Sequence, residues 1–176
     1  MVTYKGVAMR KYALYIIPLI ALIAGCAGGA RLRSDISLDD SIMNAAEYVT
    51  ERLPGKSRIA ILSITSPTDE LSQYIYDEFT ANLLETGRVT VIDRREIDSI
   101  RDELRFQTSG EVSDDSMQSL GKLLGAQFMV SGSFTDLGDV FRLVVRVFNV
   151  ENGTVELQYR TNVDGDDDLA WTLIEG

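Results

Sequence analysis

The chain has 176 residues, with 27 acidic and 17 basic side chains, no histidine and a single cysteine. Without histidine there is no Ser-His-Asp or Cys-His relay and no His-ligated zinc, and one cysteine can neither close an internal disulfide nor build a thiolate metal site. A net charge of −10 with no basic block argues against nucleic acid as a partner, since phosphate binding needs clustered Lys and Arg; 45% apolar and 25% charged residues are ordinary globular values, and the length suits one domain.

At the amino-terminal end, Lys5, Arg10 and Lys11 precede nineteen uncharged residues, Tyr12 to Ala30. Tyr12 to Ala24 is a 13-residue apolar run behind a positive segment, the layout of a secretory signal. A membrane span needs about 20 predominantly apolar residues, whereas here Pro18 interrupts the run and Gly25 to Ala30 are small. The string Leu22-Ile-Ala-Gly-Cys26 resembles the lipobox of bacterial lipoproteins. That resemblance implies that Leu22, Ile23, Ala24 and Gly25 are the cleavage-recognition residues and that the Cys26 thiol takes the lipid, detectable as palmitate label. The domain plan is then a signal peptide over 1–25, a lipidated cysteine and tether over 26–36, and one domain over 37–176. Cleavage removes three of the 17 bases and none of the 27 acids, deepening the charge from −10 to −13. Repulsion from anionic head groups would hold such a domain off the bilayer on its lipid.

Ser37-Leu-Asp-Asp40 reads as a helix start, and Leu38, Ile42, Ala45, Val49 and Leu53 recur at helical spacing until Pro54-Gly55. Arg58 to Ile64 is a continuous apolar run, expected as a strand buried on both faces. Leu71, Ile75, Phe79 and Leu83 mark an amphipathic helix over 69–85, stopped by Gly87, and Arg88 to Ile92 follows as a short strand in a parallel crossover. Asp93 with Glu96 opens a helix with a stripe of Ile97, Ile100 and Leu104; Phe106 to Val112 is expected as a polar loop. Ser113, Asp114 and Asp115 start another helix carrying Met117, Leu120 and Leu124, ended by Gly125.

Period-two alternation then gives three antiparallel strands: Phe128, Val130 and Phe134 share one face, as do Phe141, Leu143, Val145 and Val147, and Val155, Leu157, Tyr159 and Thr161. Arg142, Arg146, Glu156, Gln158 and Arg160 fall on the opposite faces. Asn152-Gly153 predicts a two-residue type I′ hairpin. The element order α-β-α-β-α-α-β-β-β implies an α/β fold, a sandwich of helices on a mixed five-stranded sheet.

No G-x-G-x-x-G, P-loop or G-x-S-x-G pattern occurs, so no cofactor and no serine nucleophile is expected. Asp164, Asp166 and Asp168 match the first, third and fifth positions of a calcium loop, but Leu169 stands where that loop needs glycine. They are read as an acidic loop that caps a terminal helix through Asp168, with no metal. The pairs Asp39-Asp40 and Asp114-Asp115 fall in first helical turns, where the helix dipole accounts for them.

Val91-Ile-Asp-Arg-Arg-Glu-Ile-Asp-Ser-Ile-Arg-Asp-Glu-Leu104, Leu120-Gly-Lys-Leu-Leu-Gly-Ala-Gln-Phe-Met-Val-Ser-Gly-Ser-Phe134 and the closing Val145-Arg-Val-Phe-Asn-Val150 resemble the CsgG-like curli-secretion lipoprotein family and its LpoB-like relative, which activates penicillin-binding proteins. The likeness covers about Arg58 to Val163. It implies an anticodon-binding-like α/β domain in the periplasm, held at the outer membrane by its lipid and acting through an envelope protein or its own copies. On this reading a CsgG-like scaffold for surface assembly or secretion, not a pore by itself, comes first, and an LpoB-like activator of a peptidoglycan synthase second. The rival from another class is a carboxylate-dependent envelope hydrolase. The missing histidine and nucleophile motifs favour the non-enzymatic readings, with no catalytic residue assigned.

Overall fold

Ser37 caps the first helix, α1 (Leu38–Arg52), by accepting the Asp40 N–H at 3.1 Å, and Leu38, Ile42, Ala45 and Val49 are buried along one face of it. Leu53, just past the end, is buried before Pro54 turns the chain. The computed structural model describes residues 36–107 and 114–176, with side chains for all of these except 104–107 and 114–116. The lipobox, Cys26, nearly all of the tether, the Ser113 start and most of the expected polar loop lie outside the described residues.

Strand β1 (Ser57–Thr65) follows, then α2 (Asp69–Glu85), whose cap Thr68 accepts the Leu71 N–H at 3.2 Å. Leu71, Ile75, Phe79 and Leu83 are all buried, each side chain contributing about 1.5–3 kcal/mol. Strand β2 (Val89–Val91) leads to α3 (Arg94–Gln107), where the Asp93 carboxylate accepts the Arg95 N–H and Ile97 is buried. Helix α3 reaches Gln107, so Phe106 and Gln107 are helical rather than loop. Helix α4 (Asp114–Leu123) buries Leu120 and, just beyond its end, Leu124. Strands β3 (Phe128–Asp136), β4 (Val140–Asn149) and β5 (Thr154–Asp164) and helix α5 (Asp168–Glu175) complete the chain.

The five strands form one mixed sheet in the order β2-β1-β3-β4-β5. β1 runs parallel to β2 and β3, and β3, β4 and β5 are antiparallel neighbours. On one side α1, α2 and α5 bury the main core against Ile59, Ile61, Val130, Phe134, Phe141, Leu143, Val145 and Val147. On the other, α3 and α4 pack on Ala60, Met129, Phe148 and Val150. The expected α/β sandwich is therefore observed.

Three local expectations need correction. β1 is buried on both faces only over Ile59, Ala60 and Ile61; after them the register slips at Leu62 and Ser63 is exposed. The β4–β5 loop is not a type I′ turn, which needs positive φ at both central residues. Four residues, 150–153, connect the strands, and only Gly153 among them has positive φ, at 71°, its N–H bonding to the Asn149 carbonyl. Val155 does not share a face with Leu157 either. A bulge leaves Glu156 without a ladder partner and sets Val155 opposite Phe148, where it is 58% exposed.

Candidate functional site

Alternation along β4 sends Phe141, Leu143, Val145 and Val147 into the main core and Arg142, Val144 and Arg146 to the other side of the sheet. There α3 and α4 cover the ground around Met129 and Phe148 and leave much of β3, β4 and β5 accessible. The register places Ser131, Ser133 and Thr135 of β3 beside Arg146, Val144 and Arg142, and Gln158, Arg160 and Asn162 of β5 on their other flank. Arg160 is thus directly across from Val144 and diagonal to both Arg142 and Arg146, at Cα spacings of roughly 7–8 Å.

Arg142 is half-buried and donates from Nε to Asn162 Oδ1 at 3.1 Å. Arg146 and Arg160 are exposed and have no hydrogen-bond or ion-pair partner among the described residues. The flanking carboxylates are turned to other tasks: Glu156 accepts from Asn149 Nδ2 at 3.2 Å, and Asp164 accepts the Asp166 N–H at 3.1 Å. Three arginines therefore share one face of the sheet with no carboxylate bound to them among the described residues, on a chain of net charge −10.

A cleft of about 360 Å³ at the end of β1 offers a contrast, being lined by Ser63, Ser66, Asp69, Gln73, Arg94 and Arg101 among others. Its cations are already engaged. Arg94 lies over the Tyr76 ring at 4.6 Å, donates to Gln73 Oε1 and meets Asp98 at 4.0 Å, and Arg101 shares that same carboxylate at 4.0 Å. Burial pushes the Tyr76 phenol above its usual range, against the lowering effect of Arg94. Among the described residues, the cleft hydroxyls of Thr65, Ser66 and Ser72 bond to backbone carbonyls or to one another rather than to a carboxylate.

Among the described acidic residues, Asp39, Asp164 and Asp167 hold hydrogen bonds within the fold. Asp167, rather than Asp168, is the α5 cap: its carboxylate accepts the Ala170 N–H at 2.8 Å and the Leu38 N–H at 3.0 Å, joining the first turns of α5 and α1. Among the described residues no group of three His, Cys, Asp or Glu could hold a metal ion. Asp167→Ala is expected to cost about 2 kcal/mol, since two buried-end N–H groups lose a charged acceptor. Urea unfolding reads that loss, and Asp167→Asn should recover much of it.

Asp39 accepts the Tyr74 hydroxyl at 2.7 Å. Burial first, and then this bond and the Asp39 charge, hold the Tyr74 phenol well above its ordinary value. The native state thus keeps a proton that the unfolded chain releases near pH 10. The stabilisation this pair contributes is present in full below pH 10 and falls as pH rises beyond it. Urea midpoints at pH 8 and pH 11 should show a steeper alkaline loss in the parent chain than in Tyr74→Phe.

The family model for the peptidoglycan-synthase activator LpoB matches residues 40–158. The chain belongs to the LpoB family. The match runs from α1 into β5, taking in Arg142 and Arg146 and ending two residues before Arg160. Solved structures share the fold. The C-terminal domain of LpoB from Escherichia coli superposes with a TM-score of 0.61 at 12% identity, over 72% of this chain and 97% of that one. Its counterpart from Salmonella enterica gives 0.59 at 12%, over 70% and 95%. The E. coli LpoB structure solved by NMR gives 0.56 at 12%, over 70% of this chain and 65% of that one. None of the curated proteins matches in sequence. The LpoB side of the resemblance is thus shown. The CsgG-like reading, which the sequence puts first, is not supported, and the family model favours the synthase-activator reading that it puts second.

Residues 22–26 lie outside the described part, so the sequence-predicted sites and the arginine face are separate matters. Spacing alone places Arg142, Arg146 and Arg160 opposite the core faces, but it does not distinguish them from the solvated side of an ordinary strand. Their period-two spacing was visible. The incomplete helical cover and the β5 bulge, which takes Glu156 out of the ladder, were not.

Proposed function

We infer that this chain is a lipid-anchored lipoprotein of the bacterial envelope that stimulates a peptidoglycan synthase by binding it, with no chemistry of its own. The observation that carries this reading is the family match over residues 40–158, which embraces most of the domain. Cleavage before Cys26 leaves that cysteine as the lipidated first residue, anchors the chain at the outer membrane and places the domain in the periplasm. Two acyl signals together make such an anchor stable, at about 0.8 kcal/mol per buried methylene. The placement of the acidic residues fits a binding protein: Asp39 and Asp167 are committed to tyrosine and helix-end hydrogen bonds.

Labelling cells with a palmitate analogue, followed by crosslinking and pull-down of the chain, tests both halves. The expected result is label on the wild type and none on Cys26→Ala, with a penicillin-binding synthase in the crosslinked material. An unlabelled wild type would overturn the anchor, and crosslinked material that never contains a peptidoglycan synthase would overturn the partner.

A further inference from the structure

We propose that the open face of β4 and β5 is a docking surface for a carboxylate-rich protein surface, with Arg142, Arg146 and Arg160 as its charged centre. This deepens the activator reading and rests on it only for which protein supplies the carboxylates. Three observations converge on the face. The first is the triangle of guanidinium groups set by the register, Arg160 across from Val144 and diagonal to the other two. Like charges so placed repel one another, and among the described residues no carboxylate is paired with Arg146 or Arg160.

The second is exposure. Arg146 and Arg160 stand exposed on the sheet, with the hydroxyl residues Ser131 and Ser133 of β3 beside Arg146 and Val144. Exposed guanidinium forks spread over neighbouring strands suit carboxylates on an opposing protein, each able to take a bidentate pair. The third is the charge of the rest of the chain. With a net −10, the molecule repels an acidic partner from most directions and attracts it at this face, so the field selects both the partner's sign and its orientation. Val144 and the 58%-exposed Val155 add apolar surface from which water can be expelled beside the charges.

The full chain, purified from envelopes in mild detergent, is titrated with a ten-residue polyglutamate peptide at 50 and 300 mM salt, and its mass is followed by analytical ultracentrifugation. The wild type should bind, weakening at least several-fold at the higher salt as the charges are screened. Arg146→Glu/Arg160→Glu should bind at least tenfold more weakly with an unchanged melting temperature, because neither side chain holds a partner among the described residues. Arg146→Lys/Arg160→Lys should retain part of the affinity. Arg88→Glu/Arg95→Glu makes the same change in net charge on exposed residues away from the face and should bind like the wild type. Absence of binding, or equal loss in both charge-reversed variants, overturns the proposal. Self-association lost only in Arg146→Glu/Arg160→Glu would assign the face to a second copy and overturn it equally. A synthase-stimulation assay run in parallel separates the two claims: stimulation with no peptide binding sinks the face alone, and peptide binding with no stimulation sinks the activator reading alone.

Discussion

Phe141→Ala is expected to destabilise the domain by about 3–5 kcal/mol, with a matching fall in the urea midpoint. Phe141 is 1% exposed and stacks on Phe134 at 5.0 Å between ring centroids, while Trp171 meets it edge-on at 5.4 Å. Truncation leaves a void bounded by two sheet strands and a helix, none of which can close it without moving its own hydrogen-bonded neighbours. Trp171 is fixed from behind by its Nε1–H, which donates to the Gly165 carbonyl at 2.7 Å, so it cannot swing into the gap. Phe141→Leu should recover most of the loss. A drop of less than about 1 kcal/mol for the alanine variant would mean that α5 does not pack on the sheet as described.

The second large effect is expected at Gly165. A Cβ there would stand 2.3 Å from the Asp139 carbonyl oxygen and 2.7 Å from its carbonyl carbon, both backbone atoms of the β3–β4 turn. A side-chain neighbour could rotate away, but this one is tied into the turn beside Val140, a residue paired with Asp164 in the ladder. Gly165→Ala should therefore cost at least the ~1–3 kcal/mol usual for overpacking, and it should loosen α5 through the Trp171 bond. Because Phe141 and Gly165 both act on Trp171, the double variant should lose less than the sum of the single losses. A double-mutant cycle by urea unfolding reads that coupling, and strict additivity would contradict a shared contact.

Much of the architecture could be read from residue spacing because burial here obeys simple periods. Leu71, Ile75, Phe79 and Leu83 fall on one stripe of α2 and are all buried, and Phe141 to Val147 alternate into one core. What escaped were decisions taken by a single residue against its neighbours. The slip at Leu62 and the bulge at Glu156 break period two with no glycine or proline to announce them. Likewise, Asp167 and Asp168 are equivalent as letters, and only the fold shows that Asp167 meets two helix ends at once. The arginine face escaped for a different reason. Alternation tells which side of a strand a residue occupies, but whether a helix lies over that side is settled by packing between distant segments. The absence of histidine and of nucleophile motifs, plain from composition, excluded whole classes of catalysis but could not name a partner; that step came from the family match.

The central claim, activation by binding, is tested most directly by the rate at which a purified peptidoglycan synthase of the penicillin-binding type consumes lipid-linked precursor as the intact chain is added. A several-fold rise that saturates near one chain per synthase, with no turnover by the chain alone, is the expected result. A synthase rate unchanged at saturating chain, or hydrolysis of envelope material by the chain alone that disappears on one acidic substitution, would contradict it.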